Sequence, residues 1–113
     1  MDIEDLRNIC LSFPFVSEDI KWGADLCFLV GGKMFCVSGL EMPCSTTFKV
    51  ADADFDEIIS RQRINPAPYL ARAKWVQIED LDVLSIEEWE FYLKQSYDLV
   101  KSKLPKKILR AIG

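Results

Sequence analysis

This 113-residue chain contains no histidine. That absence excludes histidine acid–base catalysis, Ser–His and Cys–His nucleophile pairs, and imidazole metal ligands. Glycine and proline number only five each, so the chain is not a low-complexity or disordered polymer. Long hydrophobic runs are also missing. The longest strongly apolar stretch, residues 26–30, is far too short to cross a bilayer, and no membrane role is expected. The first ten residues carry Asp2, Glu4 and Asp5 and lack the apolar core of a signal peptide, so a cytoplasmic setting is expected. Cys10, Cys27, Cys36 and Cys44 form no CxxC motif, and their gaps fit no zinc ribbon or finger. Free thiols are therefore expected, with no metal. Neither GxGxxG nor a P-loop is present, and no cofactor is implied.

What the chain does have is apolar substance. Half of its residues are hydrophobic, and its length suits one domain of about 100–150 residues. Apolar residues Ile3, Leu6, Ile9, Cys10 and Phe13 recur at helical spacing behind Asp2, which predicts a first helix over residues 2–12 that ends at Pro14. An extended segment is expected near residues 20–22. Two apolar runs, residues 26–30 and 33–38, flank Gly31-Gly32 and predict a hairpin with a type I′ turn. A third strand fits residues 45–50. Asp54 with Glu57, or Asp52 one turn earlier, predicts the start of a second helix to about Gln62, with Phe55, Ile58 and Ile59 facing inward.

Asn65-Pro66-Ala67-Pro68 predicts a loop, and residues 74–79 a fourth strand. In that strand Val76 and Ile78 share one face and Trp75 and Gln77 the other. Ser85 and Glu88 form a capping box for the last helix, with Leu84 stapled onto Trp89. Ile86, Trp89, Leu93, Tyr97, Val100 and Leu104 then hold one face until Pro105. The expected order is α-β-β-β-α-β-α: an α+β two-layer sandwich with helices packed on an antiparallel sheet, in a single domain over residues 1–113.

Several segments together resemble the MmcQ/YjbR-like family. They are Trp22-Gly23, Phe28 through Phe35, Phe48-Lys49-Val50, Pro68-Tyr69, Lys74-Trp75-Val76 and the long terminal helix with its basic end. The resemblance spans nearly the whole chain and rests on order and spacing. It implies small bacterial proteins with a fold related to the bacterial frataxins (CyaY-like), and a biochemical role that is largely unassigned. A DNA-binding role has been proposed for the family from fold comparison. The family pattern falls here on Trp22, Gly32, Lys33, Phe35, Lys49, Pro68, Tyr69 and Trp75. Two departures stand out: Lys74 replaces the histidine many relatives have before the strand tryptophan, and Ala24-Asp25 follow the first Trp-Gly. A member without histidine is not expected to be an enzyme.

The charges are unevenly placed. The chain holds 18 acids and 14 bases, for a net charge of −4, which disfavours bulk attraction to nucleic acid. Yet Arg61, Arg63, Arg72 and Lys74 lie in a stretch without acids that also carries Tyr69 and Trp75. Bases interleaved with aromatics suit phosphate tracking and base stacking. The expected DNA or ligand contacts are therefore Lys33, Lys49, Arg61, Arg63, Tyr69, Arg72, Lys74 and Trp75. Against this, bases late in a helix also simply complement its dipole, and the loop at residues 65–72 can cover Trp75. The alternative is a small-molecule or protein-interaction domain with an aromatic pocket at Trp22, Tyr69 and Trp75.

A two-residue turn at Gly31-Gly32 would also set Cys27 opposite Cys36, a possible redox pair. Two small apolar residues packing together is the plainer reading of that site. With that register Cys27, Leu29, Cys36 and Met34 share one face, and Phe28, Val30, Phe35 and Val37 the other. Both faces of the hairpin are then apolar, and the second must be covered by more chain, a ligand or a homodimer partner.

Overall fold

The computed structural model describes residues 1–112. Asp2 opens α1 (Ile3–Leu11) with a reciprocal cap: its carboxylate accepts from the Asp5 N–H at 3.0 Å, and Asp5 accepts from the Asp2 N–H at 2.9 Å. The chain continues through β1 (Val16–Lys21), β2 (Asp25–Val30), β3 (Lys33–Gly39), β4 (Thr46–Lys49), α2 (Asp52–Ile59), β5 (Ile64–Pro66), β6 (Trp75–Ile78), α3 (Ile86–Ser102) and α4 (Lys106–Ile112). Single 3-10 turns lie at Ala71–Ala73 and Leu81–Val83. The six strands form one antiparallel sheet in the order β1-β2-β3-β4-β6-β5.

This is the expected α+β architecture, with two edge strands and a closing helix added to the predicted order. Both edges are hard to read from periodicity for physical reasons. β1 is mostly exposed and carries Ser17, Glu18, Asp19 and Lys21, a polar dress that discourages edge-to-edge pairing. β5 has only three residues and holds Pro66, which an edge strand tolerates because it needs fewer ladder N–H groups.

Helices α1 and α3 cover one face of the sheet. Between them lies the core, with Leu6, Phe28, Phe35, Phe48, Trp89 and Tyr97 fully buried. Phe35 meets Tyr97 edge-on at 5.5 Å between ring centroids, and Phe48 meets Trp89 at 5.8 Å. The Ser85–Glu88 capping box is present, and the buried Trp89 ring donates to the Leu81 carbonyl at 2.9 Å.

The buried stripe of α3 runs through Trp89, Tyr92, Leu93, Ser96 and Tyr97. It centres on Trp89 and Ser96, so Ile86, expected within it, falls at its margin and is 54% exposed. Helix α2 also differs from expectation. Neither Asp52 nor Asp54 caps it: Ala51 is its N-cap, without a side-chain hydrogen bond. Gln95 on α3 does the bracing, accepting from the Ala51 N–H at 3.0 Å and donating to Asp54 at 2.9 Å.

The hairpin turn forms as expected. Gly31 and Gly32 take φ of 57° and 82°, and Val30 pairs with Lys33. The register then slips at Phe28/Leu29, where a bulge places Phe28 opposite Cys36 and Cys27 opposite Val37. This overturns the Cys27–Cys36 redox pair. The extra residue turns Phe35 and Cys36 both toward the helices, into the core with Phe28 and Val30. Cys27 stays on the other face with Leu29 and Met34, and Val37 joins it there rather than Phe28.

That second face is partly closed by the single chain: Cys27 and Leu29 are buried, while Met34 and Val37 are half-buried. No helix among the described residues is long and apolar enough to cross a membrane.

Candidate functional site: a lysine-lined cleft

The site is built from the ends of four elements. Lys33 and Met34 begin β3 just past the glycine turn. Lys49 ends β4, where alternation sends Phe48 into the core and Lys49 to the opposite face. Trp75 begins β6 and pairs with Lys49 across the ladder. The last turn of α3 supplies Leu99 and Val100, and Lys103 caps its C-terminus, with Leu104 beyond it. Together with Ala73 these residues line a cleft of about 400 Å³.

Its walls are apolar and its charged groups are Lys33, Lys49 and Lys103, with no carboxylate among the lining residues. None of the three lysines forms an ion pair among the described residues. Burial lowers the pKa of the Lys49 ammonium; Lys103 and Lys74 lower it further, and Asp52 opposes them. The Lys49 ammonium also donates to the Ala73 carbonyl. A partly desolvated cluster of like charges is relieved by an anion, which makes the cleft electrostatically complementary to one.

A second, smaller cleft of about 160 Å³ shares Met34 and Trp75 with the first. It lies on the open face of the sheet, between Trp22, Val37 and Thr47 on one side and Ala67, Pro68 and Leu70 on the other. The loop between β5 and β6 covers Trp75, which is 9% exposed. The Ala67 N–H donates to the Trp75 carbonyl at 3.0 Å, and the Trp75 N–H to the Leu70 carbonyl at 3.2 Å. Trp22 is 72% exposed, and Tyr69 stands fully exposed between Pro68 and Leu70. Both hold left-handed backbone, with φ of 53° and 65°. Large side chains rarely adopt it without compensating structure.

The residues singled out in the sequence thus separate into groups. Lys33, Lys49 and Trp75 come together in the first cleft. Trp22 and Trp75 line the second, with Tyr69 at its rim rather than in its wall. Lys74 sits beside the first cleft and lays its ammonium over the Phe55 ring, 4.8 Å from the centroid. Arg72 is exposed on the adjoining turn.

Arg61 and Arg63 do not join them. Arg61 is held by Glu57 at 2.8 Å and Glu88 at 2.5 Å, bracing α2 against α3. Arg63 faces Asp82 at 3.3 Å and Asp80 at 4.0 Å. Their charge is largely answered within the chain.

Lys103 is the cleft residue that sequence reasoning passed over as one of the bases late in the last helix. A signal for it existed: Ser96, Val100 and Lys103 recur at i, i+4 and i+7 on one face of α3. A larger groove of about 800 Å³ runs along the outer face of α3 past Phe91. Its cation, Lys94, is bound to Asp98 at 2.8 Å, and Glu87 and Glu90 make its rim acidic. It gathers none of the expected contact residues.

Comparison with known proteins agrees with this architecture. The structure is similar to the crystal structure of Deinococcus radiodurans protein DR2400, which carries the domain DUF419. Identity is 25%, the TM-score is 0.88, and the match covers 99% of this chain and 88% of the other. A protein from Pseudomonas syringae is similar at 15% identity and a TM-score of 0.73, covering 88% and 98% of the two chains. No curated protein matches the sequence. Residues 11–99 match the YjbR family pattern, and with most of its length inside that match this chain belongs to the YjbR family.

Proposed function

We propose that this protein binds a small anion with an apolar body in the lysine-lined cleft. One observation carries the reading: Lys33, Lys49 and Lys103 converge on apolar surface made by Met34, Trp75, Val100 and Leu104, without a carboxylate among the lining residues. Ammonium groups would hold the charged end, and the tryptophan and aliphatic walls would take the rest. The role is binding rather than turnover, in a cytoplasmic setting that keeps the four thiols reduced.

Calorimetric titration with inorganic phosphate and with phenyl phosphate tests this. Phenyl phosphate should bind more tightly, by about tenfold if roughly 50–60 Å² of its ring is buried at about 25 cal/mol/Å². Equal affinities would remove the apolar half of the reading, and no heat from either at low salt would remove all of it.

A second reading is single-stranded DNA, favoured by the exposed, strained Trp22 and Tyr69 beside the cationic cleft. Strands use stacking platforms of this kind together with lysines along the backbone. The internal pairing of Arg61 and Arg63 shortens the basic track available to it. Its mark would be affinity that falls steeply with salt and grows with oligonucleotide length. A homodimer over Trp22, Met34 and Val37 would compete with either ligand for the open face, and light scattering with and without ligand would reveal it.

A further inference from the structure

We infer that Lys49 is the reactive amine of the cleft and captures small aldehydes or keto acids that carry an anionic group, as a reversible imine. This rests on the anion-binding reading above and gives its ligand a chemical class.

Lys49 differs from the other cleft lysines in how it is held. Lys33 and Lys103 are exposed, whereas Lys49 is half-buried. The residue is held at both its backbone and its amine. The Lys49 N–H donates to Ser96 Oγ at 3.0 Å, which anchors β4 to α3. Its Nζ donates to the Ala73 carbonyl, so the protein orients the amine. The walls around it are Met34, Trp75, Val100 and Leu104.

The charged groups that act on it come from the neighbouring elements: Lys103 from the end of α3, Lys74 from the turn before β6 and Asp52 from α2, while Lys33 of the hairpin lines the same cleft. Lys103 and Lys74 favour the neutral amine that a nucleophile needs, and Asp52 opposes them. A carboxylate or phosphate on the incoming molecule would sit against Lys33 and Lys103, with its carbonyl carbon left for Nζ.

The step balances without an oxidant. The Nζ lone pair forms a C–N bond to the carbonyl carbon, and the carbonyl oxygen takes up the proton that nitrogen loses. The hydroxyl of the resulting carbinolamine takes a proton from solvent or a neighbouring ammonium and leaves as water while the nitrogen lone pair closes the C=N bond, which gives the protonated imine. Loss of its N–H proton returns the proton and leaves the imine. Hydrolysis reverses each bond change. The apolar walls limit the water that drives that reversal.

The test uses the full chain with glyoxylate, an aldehyde bearing a carboxylate, and with propanal, which lacks the charge. Imines are trapped with cyanoborohydride and mapped by peptide mass spectrometry. Glyoxylate should mark Lys49 ahead of the more exposed lysines, and excess inorganic phosphate should suppress that mark. Propanal should mark lysines in order of exposure. The K33M/K103M variant should lose about tenfold of the Lys49 labelling by glyoxylate, with an unchanged circular dichroism spectrum. In K49R the selective mark should vanish and leave only the background at other lysines.

Glyoxylate labelling that tracks exposure and leaves Lys49 near the bottom would overturn the inference. So would Lys49 labelling that phosphate does not compete. Phosphate binding in the cleft without labelling at Lys49 would overturn this inference alone. Absence of both would overturn the anion-binding reading with it.

Discussion

Cys27 and Cys36 lie on opposite faces of the sheet, because the bulge beside Phe28 pairs Cys36 with Phe28 and Cys27 with Val37. Mild oxidation of the folded protein should therefore give no Cys27–Cys36 disulfide, as read by non-reducing peptide mapping. Reaction with thiol reagents should also be slow. All four cysteines are buried, and burial pushes the thiols of Cys27, Cys36 and Cys44 up, which keeps the reactive thiolate scarce. Rapid titration of these thiols without denaturant would contradict the packing.

The bulge also marks where sequence reasoning stops. Gly31-Gly32 announces the turn because two left-handed residues are needed there, and Ser85–Glu88 announces α3 because a capping box is a local device. Register beyond the turn is decided by core packing: Phe35 and Cys36 both fit under the helices, and no local signal records that. β1 showed only as an extended segment near residues 20–22 because its exposed residues carry little periodicity, and β5 was hidden by its three-residue length and proline. For the site, alternation correctly sent Lys49 and Trp75 to one face. Arg63 looked free because Asp82 lies 19 residues away along the chain, and the tie from Arg61 to Glu88 spans 27, although Glu57 four residues before Arg61 was a local sign of pairing. Lys103 looked like one more base complementing a helix end until α3 brought it to the hairpin.

A side chain at Gly31 would have to push aside the tips of Leu104 and Ile108. A Cβ there would stand 2.6 Å from Leu104 Cδ1 and 3.0 Å from Ile108 Cγ2, on backbone already at φ 57°. Gly31→Ala should cost about 2–4 kcal/mol in urea unfolding, from crowding plus left-handed strain. Gly32→Ala meets open space and should cost only the strain, about 1 kcal/mol. Equal losses would mean that α3 and α4 do not press on the turn.

Ser96 is a buried bridge. Its hydroxyl donates to the Phe35 carbonyl at 2.6 Å and accepts from the Lys49 N–H at 3.0 Å. Ser96→Ala leaves both backbone groups without that partner and should destabilise the protein by about 1–3 kcal/mol. It should also weaken phosphate binding, because the strand that presents Lys49 loses its tie to α3. Loss of stability with unchanged phosphate affinity would separate the bridge from the site.

Acid should loosen the contact between α2 and α3. Hydrogen bonding from Arg61, and then from the Ser85 N–H, holds the Glu88 carboxyl below the usual carboxylate range. A depressed carboxylate contributes stability that is complete above its unfolded pKa, about 4.3, and is lost as pH falls through the lower folded value. Arg61→Met should move the acid unfolding midpoint to higher pH. At neutral pH it should cost no more than about 1 kcal/mol, since the pair is partly exposed. An unmoved acid midpoint would mean that the Arg61–Glu88 contact does not stabilise the fold.

The central claim is that Lys33, Lys49 and Lys103 form one anion site. Nitrogen-15 NMR during titration with inorganic pyrophosphate at low salt measures it most directly. The amides of Lys33, Met34, Lys49, Trp75, Val100 and Lys103 should shift together along one saturating curve. That curve should weaken with added salt, and with pH raised toward the lowered Lys49 titration, where the ammonium is lost. Shifts that never saturate, or that scatter over α1 and β1 while these six amides stay still, would contradict the account.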